Sequence, residues 1–224
     1  MIKKISFCLL VLASYSSFGQ NTRFEVNTKT GFMYYAQDNA EANDTKIEGS
    51  KYIDDKFRLS KVSGVAEITP LMRYNAYRDE MEFVEGGKAY FVSKADSLEI
   101  KLLEKSYQYR NYQSDKGRNE GGYLVVLVKD PKISLFKKEK VVLVPEYIPS
   151  SPHLESKPAH YKREDDRFFI TVSNAIVLVP KKKKEFLALF PNQTAAIEGY
   201  LKQNKVSFDN ESNLIDLVKF MNTL

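Results

Sequence analysis

The chain has 224 residues, of which 43% are hydrophobic and 28% are charged, a composition typical of a globular protein. Its formal net charge of +5 is mildly basic, which suits an anionic envelope surface but is too small to indicate a nucleic-acid-binding protein. We therefore set nucleic acid aside as a partner.

The first nineteen residues have the three-part layout of a cleaved secretory signal peptide. Lys3 and Lys4 precede an apolar run from Ile5 to Ala13, and small residues at Ser17 and Gly19 suit cleavage after Gly19. The run is about half as long as the roughly 18 apolar residues of a membrane-spanning helix. We therefore predict an exported protein of the periplasm, or of the periplasmic face of the outer membrane, without a membrane-spanning segment.

The only cysteine, Cys8, lies within this apolar run. Cleavage would leave about 205 residues without any cysteine, so no disulfide, thiol nucleophile or cysteine-bound metal would be available. The hydrophobic core alone would then stabilise the fold. A chain of this size can do so, because domains of about 150 residues already bury close to 70% of their unfolded surface.

Residues 20–62 form a polar and irregular segment. One or two weak strands are predicted between Arg23 and Tyr35, followed by a loop at 37–49 where acidic and amide residues are frequent. The regular strand pattern begins near Gly64 and defines a β-rich region at 63–180.

The stretch RYNAYRDEMEF at 73–83 combines many charged residues with a strand pattern. Apolar residues occupy even positions up to Ala76 and odd positions from Met81, which predicts a two-residue turn at Arg78 and Asp79 that pairs Ala76 with Met81. The outer face of this hairpin is predicted to be solvated and to carry Arg73, Asn75, Glu80 and Glu82.

The next turn is predicted at EGGK, residues 85–88. Gly86 and Gly87 supply the positive φ that a tight hairpin needs, and this turn pairs Phe83 with Tyr90. Both hairpins place the same apolar residues on the inner face.

Seven further apolar segments predict strands, separated by loops rich in glycine, aspartate, asparagine and proline. They lie at 97–104, 106–112, 123–128, 132–136, 140–144, 167–172 and 175–179. The last two flank a turn at Ser173 and Asn174, and a longer proline-rich connection spans 145–158. This order predicts an antiparallel meander that forms a sandwich or an open barrel.

Residues 181–224 change to apolar spacings of three and four, which predict a small set of helices. Asn192 can cap the second helix, and either Asp209 or Asn210 can cap the third. A helical segment of about 44 residues would be marginal alone, so we expect it to pack on the sheet. The predicted fold class is therefore α+β, with 63–180 and 181–224 in one domain.

The sequence contains few of the residue patterns that support catalysis or metal binding. It has no G-x-S-x-G or S-x-x-K motif, and its two histidines, His153 and His160, have a spacing of seven that matches no zinc signature. We interpret both histidines as surface loop residues, with a metal site as the alternative. No cofactor is expected.

Two acidic groups could supply paired carboxylates for acid and base catalysis, as in glycoside cleavage. They are Asp79, Glu80 and Glu82, and Glu164, Asp165 and Asp166. Both groups are predicted to be solvated at turns or on an outer strand face, whereas a raised carboxyl pKa requires burial. A carboxylate-based hydrolase is therefore only the third hypothesis.

Two groups of residues are candidates for binding. They are the aromatic and basic set Tyr107, Tyr109, Arg110 and Tyr112, and the lysine run Lys181, Lys182, Lys183 and Lys184. An exposed surface of tyrosine and arginine suits a protein strand or an anionic glycan. The alternatives are a half-buried strand for the tyrosines and a solvated face for the lysines.

Three motifs resemble a group of uncharacterised exported proteins of Bacteroidetes-type bacteria. They are R-Y-N-x-Y-x-D-x-x-E at 73–82, G-K-x-Y at 87–90 and the C-terminal KKKKEFLALFPN…YLKQNKVSF…NLIDLVKFMN. The resemblance covers about 64–224, and the signal peptide ending in Phe-Gly-Gln is also similar. It implies an envelope location but no assigned activity.

These observations favour a non-enzymatic envelope protein that binds another periplasmic or outer-membrane protein. The alternative is a binder of an anionic envelope polymer, such as lipopolysaccharide or peptidoglycan, whose binding would weaken steeply with salt.

Overall fold

The computed structural model describes residues 24–26, 33–36, 47–63, 69–94, 98–115, 117–151 and 155–224. The predicted signal peptide at 1–19, most of the predicted loop at 37–49, and His153 lie outside these residues. The two weak strands predicted between Arg23 and Tyr35 are present as β1 and β2.

The described part of the chain contains fourteen strands, three α-helices and a 3₁₀ turn at Pro191–Gln193. The strands are β1 (Phe24–Val26), β2 (Met33–Ala36), β3 (Arg58–Val62), β4 (Leu71–Asn75), β5 (Glu80–Glu85), β6 (Lys88–Val92), β7 (Glu99–Leu102), β8 (Lys105–Gln113), β9 (Asn119–Val128), β10 (Leu135–Lys138), β11 (Val141–Val144), β12 (His160–Arg163), β13 (Arg167–Val172) and β14 (Ala175–Leu178). The helices are α1 (Lys183–Ala188), α2 (Thr194–Gln203) and α3 (Glu211–Met221).

Twelve of the strands form one large sheet in the order β1-β2-β6-β5-β4-β3-β7-β8-β14-β13-β10-β9, and β8 also pairs with β9. Neighbouring strands are antiparallel except β14 and β8, which run parallel where Val177 meets Gln113. The predicted β-rich chain with C-terminal helices is therefore confirmed, and the sheet is mixed rather than a closed barrel. Strands β11 and β12 form a separate two-stranded ribbon.

The predicted register of the first hairpin is wrong by two residues. Met81 pairs with Tyr74 instead of Ala76, and the loop at 76–79 has four residues instead of two. The longer loop is stabilised locally, because the Asn75 side-chain oxygen accepts a hydrogen bond from the Arg78 N–H at 3.0 Å. A shift of two keeps every side chain on its predicted face, because the period of a strand is two.

The second hairpin has the predicted register. Phe83 pairs with Tyr90, and Gly86 and Gly87 occupy the turn with φ of 57° and 76°. Both values lie in the left-handed region, which glycine adopts without a steric penalty. The local turn chemistry alone was therefore sufficient to fix this hairpin.

The sequence analysis missed β12, which lies just beyond the proline-rich connection. Its four residues, HYKR, lack the apolar alternation of a strand. The strand exists because it pairs with β11 from Val141↔Arg163 to Val144↔His160. Pairing with a distant segment, rather than local propensity, creates this element.

The C-terminal helices pack on the sheet and share one apolar cluster with it. The fully buried members of this cluster are Leu135 and Ile170 on the sheet, and Phe186, Ile197, Leu214, Leu217, Val218 and Met221 on the helices. Each large apolar side chain buried in this way stabilises the fold by roughly 1.5–3 kcal/mol. Such burial is what holds the short helices in place, since helices of this length are marginal in isolation.

Both ends of α3 are also tied to the segment around β10. Asn222 accepts a hydrogen bond from the Ile133 N–H at 3.0 Å and donates one to the Ile133 carbonyl at 2.9 Å. At the other end, Lys137 pairs with Glu211 at 2.6 Å. These contacts fix the position of α3 along the sheet.

Only one of the predicted helix caps is made by the expected side chain. Asn210 caps α3, because its side-chain oxygen accepts a hydrogen bond from the Asn213 N–H at 3.0 Å. The prediction that Asn192 caps α2 is wrong, since Asn192 lies within the 3₁₀ turn and Gln193 is the N-cap residue.

Replacing Asn210 by alanine should lower the free energy of unfolding by about 1 kcal/mol, because a helix N–H loses its acceptor. Asn192→Ala is the matched control and should change stability by less than about 0.5 kcal/mol. Urea unfolding of the two variants checks this difference, and equal effects would contradict the assigned cap.

Candidate functional site

The described residues enclose one large cleft between the β11–β12 ribbon and the C-terminal helices, here called the helix–ribbon cleft. Its volume is about 1280 Å³. The walls consist of β11 and β12, the turn that leads into β13, the end of β14, and the residues before α1 and α3. Its lining includes Val142, Val144, Arg163, Glu164, Asp165, Asp166, Phe168, Lys181, Lys182, Glu185, Phe208, Asp209 and Glu211.

Two of the four predicted lysines, Lys181 and Lys182, lie on this cleft, whereas Lys183 and Lys184 lie around a separate depression beside α2. All four are exposed. Lys182 pairs with Glu185 at 3.0 Å, as is common on a solvated surface, where such pairs contribute little stability. The lysine run is thus accessible, in agreement with the predicted exposed face.

Behind the cleft wall, three carboxylates surround the side chain of Lys137, which is only 9% exposed. The Lys137 ammonium lies 2.6 Å from Glu211, 3.6 Å from Asp166 and 4.0 Å from Glu139. Burial by itself would lower the pKa of Lys137, but the hydrogen bond to Glu211 and the neighbouring negative charges outweigh this and raise it. Lys137 therefore remains charged and joins β10 to α3.

The acidic turn at 164–166 is held by cations rather than presented as a free carboxylate pair. Arg163 donates a hydrogen bond to Asp166 at 2.9 Å, and this contact raises the pKa of Arg163. Glu164 lies 3.7 Å from Lys140.

The other acidic group corrects a sequence prediction, because Glu82 and Asn75 are fully buried rather than solvated. Glu82 binds Arg73 Nε at 2.7 Å and Asn75 Nδ2 at 2.8 Å, and it also accepts a hydrogen bond from the Tyr52 hydroxyl at 3.1 Å. Arg73 is sandwiched by the rings of Tyr52 and Phe57, with its guanidinium carbon 3.7 and 4.2 Å from the ring centres.

Residues before β3 cause this burial, because Tyr52 forms an antiparallel bridge with Asn75 at the end of β4. The segment therefore covers the face that was predicted to be solvated. With both oxygens of Glu82 occupied and no exposed surface, this carboxylate cannot reach a substrate.

Glu80 is half-buried on the same strand as Glu82. Burial raises the pKa of Glu80, although a hydrogen bond from Lys94 at 2.9 Å partly opposes the shift. Its Oε2 atom is buried without a hydrogen-bond partner among the described residues, as is Oγ of Ser93. A raised carboxyl pKa can mark a general acid, but its neighbour Glu82 is too enclosed to act as the second carboxylate.

The predicted tyrosine surface is only partly present. Tyr107 and Tyr112 are 3% and 8% exposed, so neither contributes to an exposed aromatic patch, whereas Tyr109 and Arg110 are half-buried. Tyr107 donates a hydrogen bond to Glu139, and Tyr112 packs against Phe169 at 4.7 Å between ring centres. The half-buried strand that was the alternative interpretation describes β8 better.

Sequence reasoning missed a buried ion pair between Asp79 and Lys138. The Lys138 ammonium lies 2.6 Å from Asp79 Oδ1, which also accepts a hydrogen bond from the Tyr74 hydroxyl at 2.7 Å. Burial lowers the pKa of Lys138, and Asp79 opposes that shift. A Cβ at Gly122 would lie 2.5 Å from Asp79 and 2.8 Å from Lys138, so glycine leaves room for the pair.

Glu139 is a second buried carboxylate that sequence reasoning missed. It is 1% exposed and binds Lys105 at 2.6 Å and the Tyr107 hydroxyl at 2.8 Å, with Arg163 at 3.4 Å. The available signal was the run of four charged residues, KKEK, at 137–140. Charged side chains are rarely buried without partners. The partners of Lys138 and Glu139 lie on different strands, so their contacts join β4, β8, β10 and β12.

No group of three or more histidine, cysteine, aspartate or glutamate side chains in the described ranges could hold a metal ion. His160 lies in β12, with its Nδ1 atom 3.2 Å from the Pro158 carbonyl. Among the described helices, none is long and apolar enough to cross a membrane. No protein-family model, curated protein or solved structure matches the chain.

Proposed function

We propose that the protein is a non-enzymatic component of the cell envelope that binds an extended segment of another periplasmic or outer-membrane protein. The helix–ribbon cleft carries this proposal. Its volume of about 1280 Å³ exceeds the 300–1,000 Å³ that is usual for small-molecule sites. A cleft of this size has room for several residues of an extended peptide, and a compact metabolite would leave much of it unfilled.

The lining of the cleft suits a polypeptide. Val142 and Val144 of β11 supply apolar contacts, and charged side chains of both signs surround them. Strand β11 pairs with β12 alone among the described strands, and on its other edge the Val141 N–H donates a hydrogen bond to the Ala76 carbonyl. A peptide in extended conformation could add to this ribbon beyond Val141. Main-chain hydrogen bonds would then provide affinity, and the valines would select apolar side chains at alternate positions.

An anionic envelope polymer is the second candidate, and the exposed run Lys181–Lys184 favours it. Four adjacent ammonium groups attract phosphate or carboxylate groups of either a glycan or a protein. The two candidates differ in salt dependence, since binding to a polyanion weakens steeply as salt screens the charges.

The proposal also covers the location of the protein and the curvature of its sheet. We place the protein in the periplasm or on the periplasmic face of the outer membrane, on the basis of the predicted signal peptide. We also propose that the sheet curls as an open barrel, which is supported by the pairing of β8 with β7, β9 and β14. Such curvature would set the ribbon and the helices at one side of the sheet.

A photocrosslinking residue at Glu185, on the cleft, tests the proposed partner in intact cells. We expect capture of one envelope protein, identified by mass spectrometry, and loss of that product when Lys181–Lys184 are replaced by glutamine. The matched control carries the crosslinker at Asp216, an exposed position of α3 that is absent from the cleft lining.

Capture of the same proteins at both positions, or of none at Glu185, would contradict protein binding in the cleft. Crosslinking to glycan-containing material at Glu185, abolished by high salt, would instead favour the anionic polymer.

A further inference from the structure

Three leucines at the same end of β3, β4 and β7 have exposed side chains. The exposed fractions are 67% for Leu59 in β3, 45% for Leu71 in β4 and 57% for Leu103 in the turn after β7. Leu59 and Leu71 are direct cross-strand partners. Leu102 of β7 pairs with Ser60 of β3. Leu103 is the next residue after Leu102 and therefore lies at the same end of these strands as Leu59.

Two lysines lie beside these leucines. Lys61 and Lys101 are direct cross-strand partners on β3 and β7, and both are exposed. Because side chains alternate along a strand, Lys61 shares the face of Leu59. Neither lysine forms an ion pair with any residue in the part of the chain that the structure describes. Like charges directly opposite each other destabilise a sheet, and a negatively charged ligand would remove this cost.

The acidic residue of the same face does not neutralise this pair. Glu99 lies two residues before Lys101 and already binds Lys129 and Ser106, each at 2.6 Å. The hydrogen bond from Lys129 is the main reason why the pKa of Glu99 falls to about 2. Glu104 is exposed in the adjacent turn. Among the described residues, Lys61 and Lys101 therefore outnumber Glu104 as charges that lack a paired counter-ion beside the leucines.

An apolar pocket opens at the same end of these strands, on the inner side of the sheet. Its volume is about 250 Å³. Its lining combines apolar residues, such as Met72, Leu102 and Leu103, with six charged residues: Asp54, Lys56, Arg58, Arg73, Glu104 and Lys105. Most of the exposed surface of the pocket is nevertheless apolar, which suits a hydrocarbon chain. The pocket therefore favours a lipid over a protein as the ligand of this region.

We propose that the leucine–lysine face, defined by Leu59, Lys61, Leu71, Lys101 and Leu103, docks the protein on an anionic lipid surface. The leucines enter the boundary between headgroups and acyl chains, and the two lysines bind lipid phosphates. Apolar burial and electrostatic attraction act together in interfacial binding of this kind. This face uses β3, β4 and β7, so the inference is independent of the helix–ribbon cleft.

Tryptophan fluorescence can test this proposal directly, because the chain contains no tryptophan. In a Leu103→Trp variant, vesicles of phosphatidylglycerol should shift the emission to shorter wavelength, whereas vesicles of phosphatidylcholine should leave it unchanged. Ile148→Trp is the matched control, since Ile148 is 74% exposed and lies outside this face. Its emission should not respond to either lipid.

Charge variants in the Leu103→Trp background test the role of the lysines. Lys61→Gln combined with Lys101→Gln should weaken binding to phosphatidylglycerol vesicles by roughly tenfold to thirtyfold, since each lysine near an anionic surface contributes about 1 kcal/mol. Glutamine at Lys181–Lys184 removes more charge elsewhere and should leave binding nearly unchanged.

No spectral shift with either lipid would overturn the proposal, and so would an equal shift with both. Greater loss of binding in the Lys181–Lys184 variant than in the Lys61 and Lys101 variant would also overturn it, because nonspecific attraction to the most basic region would then explain the association.

Discussion

Glu82→Ala should lower the free energy of unfolding by about 3 kcal/mol or more, because it leaves the guanidinium of Arg73 without its buried counter-ion. Arg73 is 20% exposed and remains stacked on Tyr52 and Phe57, so some water can solvate it and the effect should lie near the lower end of the usual 3–5 kcal/mol. Urea unfolding at pH 7 measures this change. Glu146→Gln, at an exposed position, is the control and should change stability by less than about 0.5 kcal/mol.

A double-mutant cycle separates the ion pair from the packing of the two side chains. Arg73→Met combined with Glu82→Leu should be less destabilising than the sum of the two single substitutions, because the double variant leaves no unpaired charge. Strictly additive losses, or a Glu82→Ala effect below about 1 kcal/mol, would show that residues 52–57 do not enclose Glu82 as described.

The second large effect is expected at alkaline pH, where stability should fall steeply above about pH 10. Burial raises the pKa of five tyrosines above the ordinary value of 10: Tyr35, Tyr74, Tyr107, Tyr112 and Tyr123. For Tyr112 the pKa rises to about 12. These phenols remain protonated in the folded protein at a pH where the unfolded chain has already ionised.

The direction of the effect follows from the protons bound in each state. Above pH 10 the folded state binds more protons, so stability decreases with rising pH, by up to about 1.4 kcal/mol per pH unit for each such tyrosine. Below pH 10 both states are protonated and these groups have no effect. Guanidinium unfolding at pH 9, 10 and 11, together with phenolate absorbance, measures the slope.

Two phenylalanine variants test whether buried tyrosines cause this slope. Tyr112→Phe removes one raised pKa and should make the alkaline loss shallower by up to about 1.4 kcal/mol per pH unit. Tyr147→Phe is the control, because Tyr147 is 53% exposed and its substitution should leave the alkaline slope unchanged. Ionisation of all 14 tyrosines near pH 10, without a loss of stability, would contradict the burial of the aromatic core.

The buried networks and the two proposed binding surfaces occupy different parts of the fold. Glu82 and its partners stabilise β4 and β5, whereas the ion pairs of Lys137 and Glu139 join the sheet to α3 and to the β11–β12 ribbon. The latter contacts lie directly beneath the helix–ribbon cleft. Weakening them should therefore alter the shape of the cleft as well as overall stability, whereas changes at Glu82 should affect stability alone.

The sequence by itself determined the features that depend on local chemistry. The turn at Gly86 and Gly87, the helical periods of the C-terminal segment and the Asn210 cap each rest on a few neighbouring residues, and each is found as predicted. The inner faces of the first hairpins were also predicted, because the alternation of apolar residues survives a register error of two. The lysine run was predicted to be exposed because four adjacent ammonium groups cannot be buried together without counter-ions.

Only the tertiary structure decided which polar groups are buried. In sequence, Glu82 and Asn75 resemble outward-facing residues of a half-exposed strand, and KKE at 137–139 resembles a solvated charge run. Their burial depends on partners far along the chain, such as Tyr52 for Glu82 and Lys105 for Glu139. The desolvation of a charge is set by the three-dimensional arrangement of these partners, which local spacing does not encode. The same long-range pairing created β12, formed the cleft and left Leu59, Leu71 and Leu103 together on an exposed face.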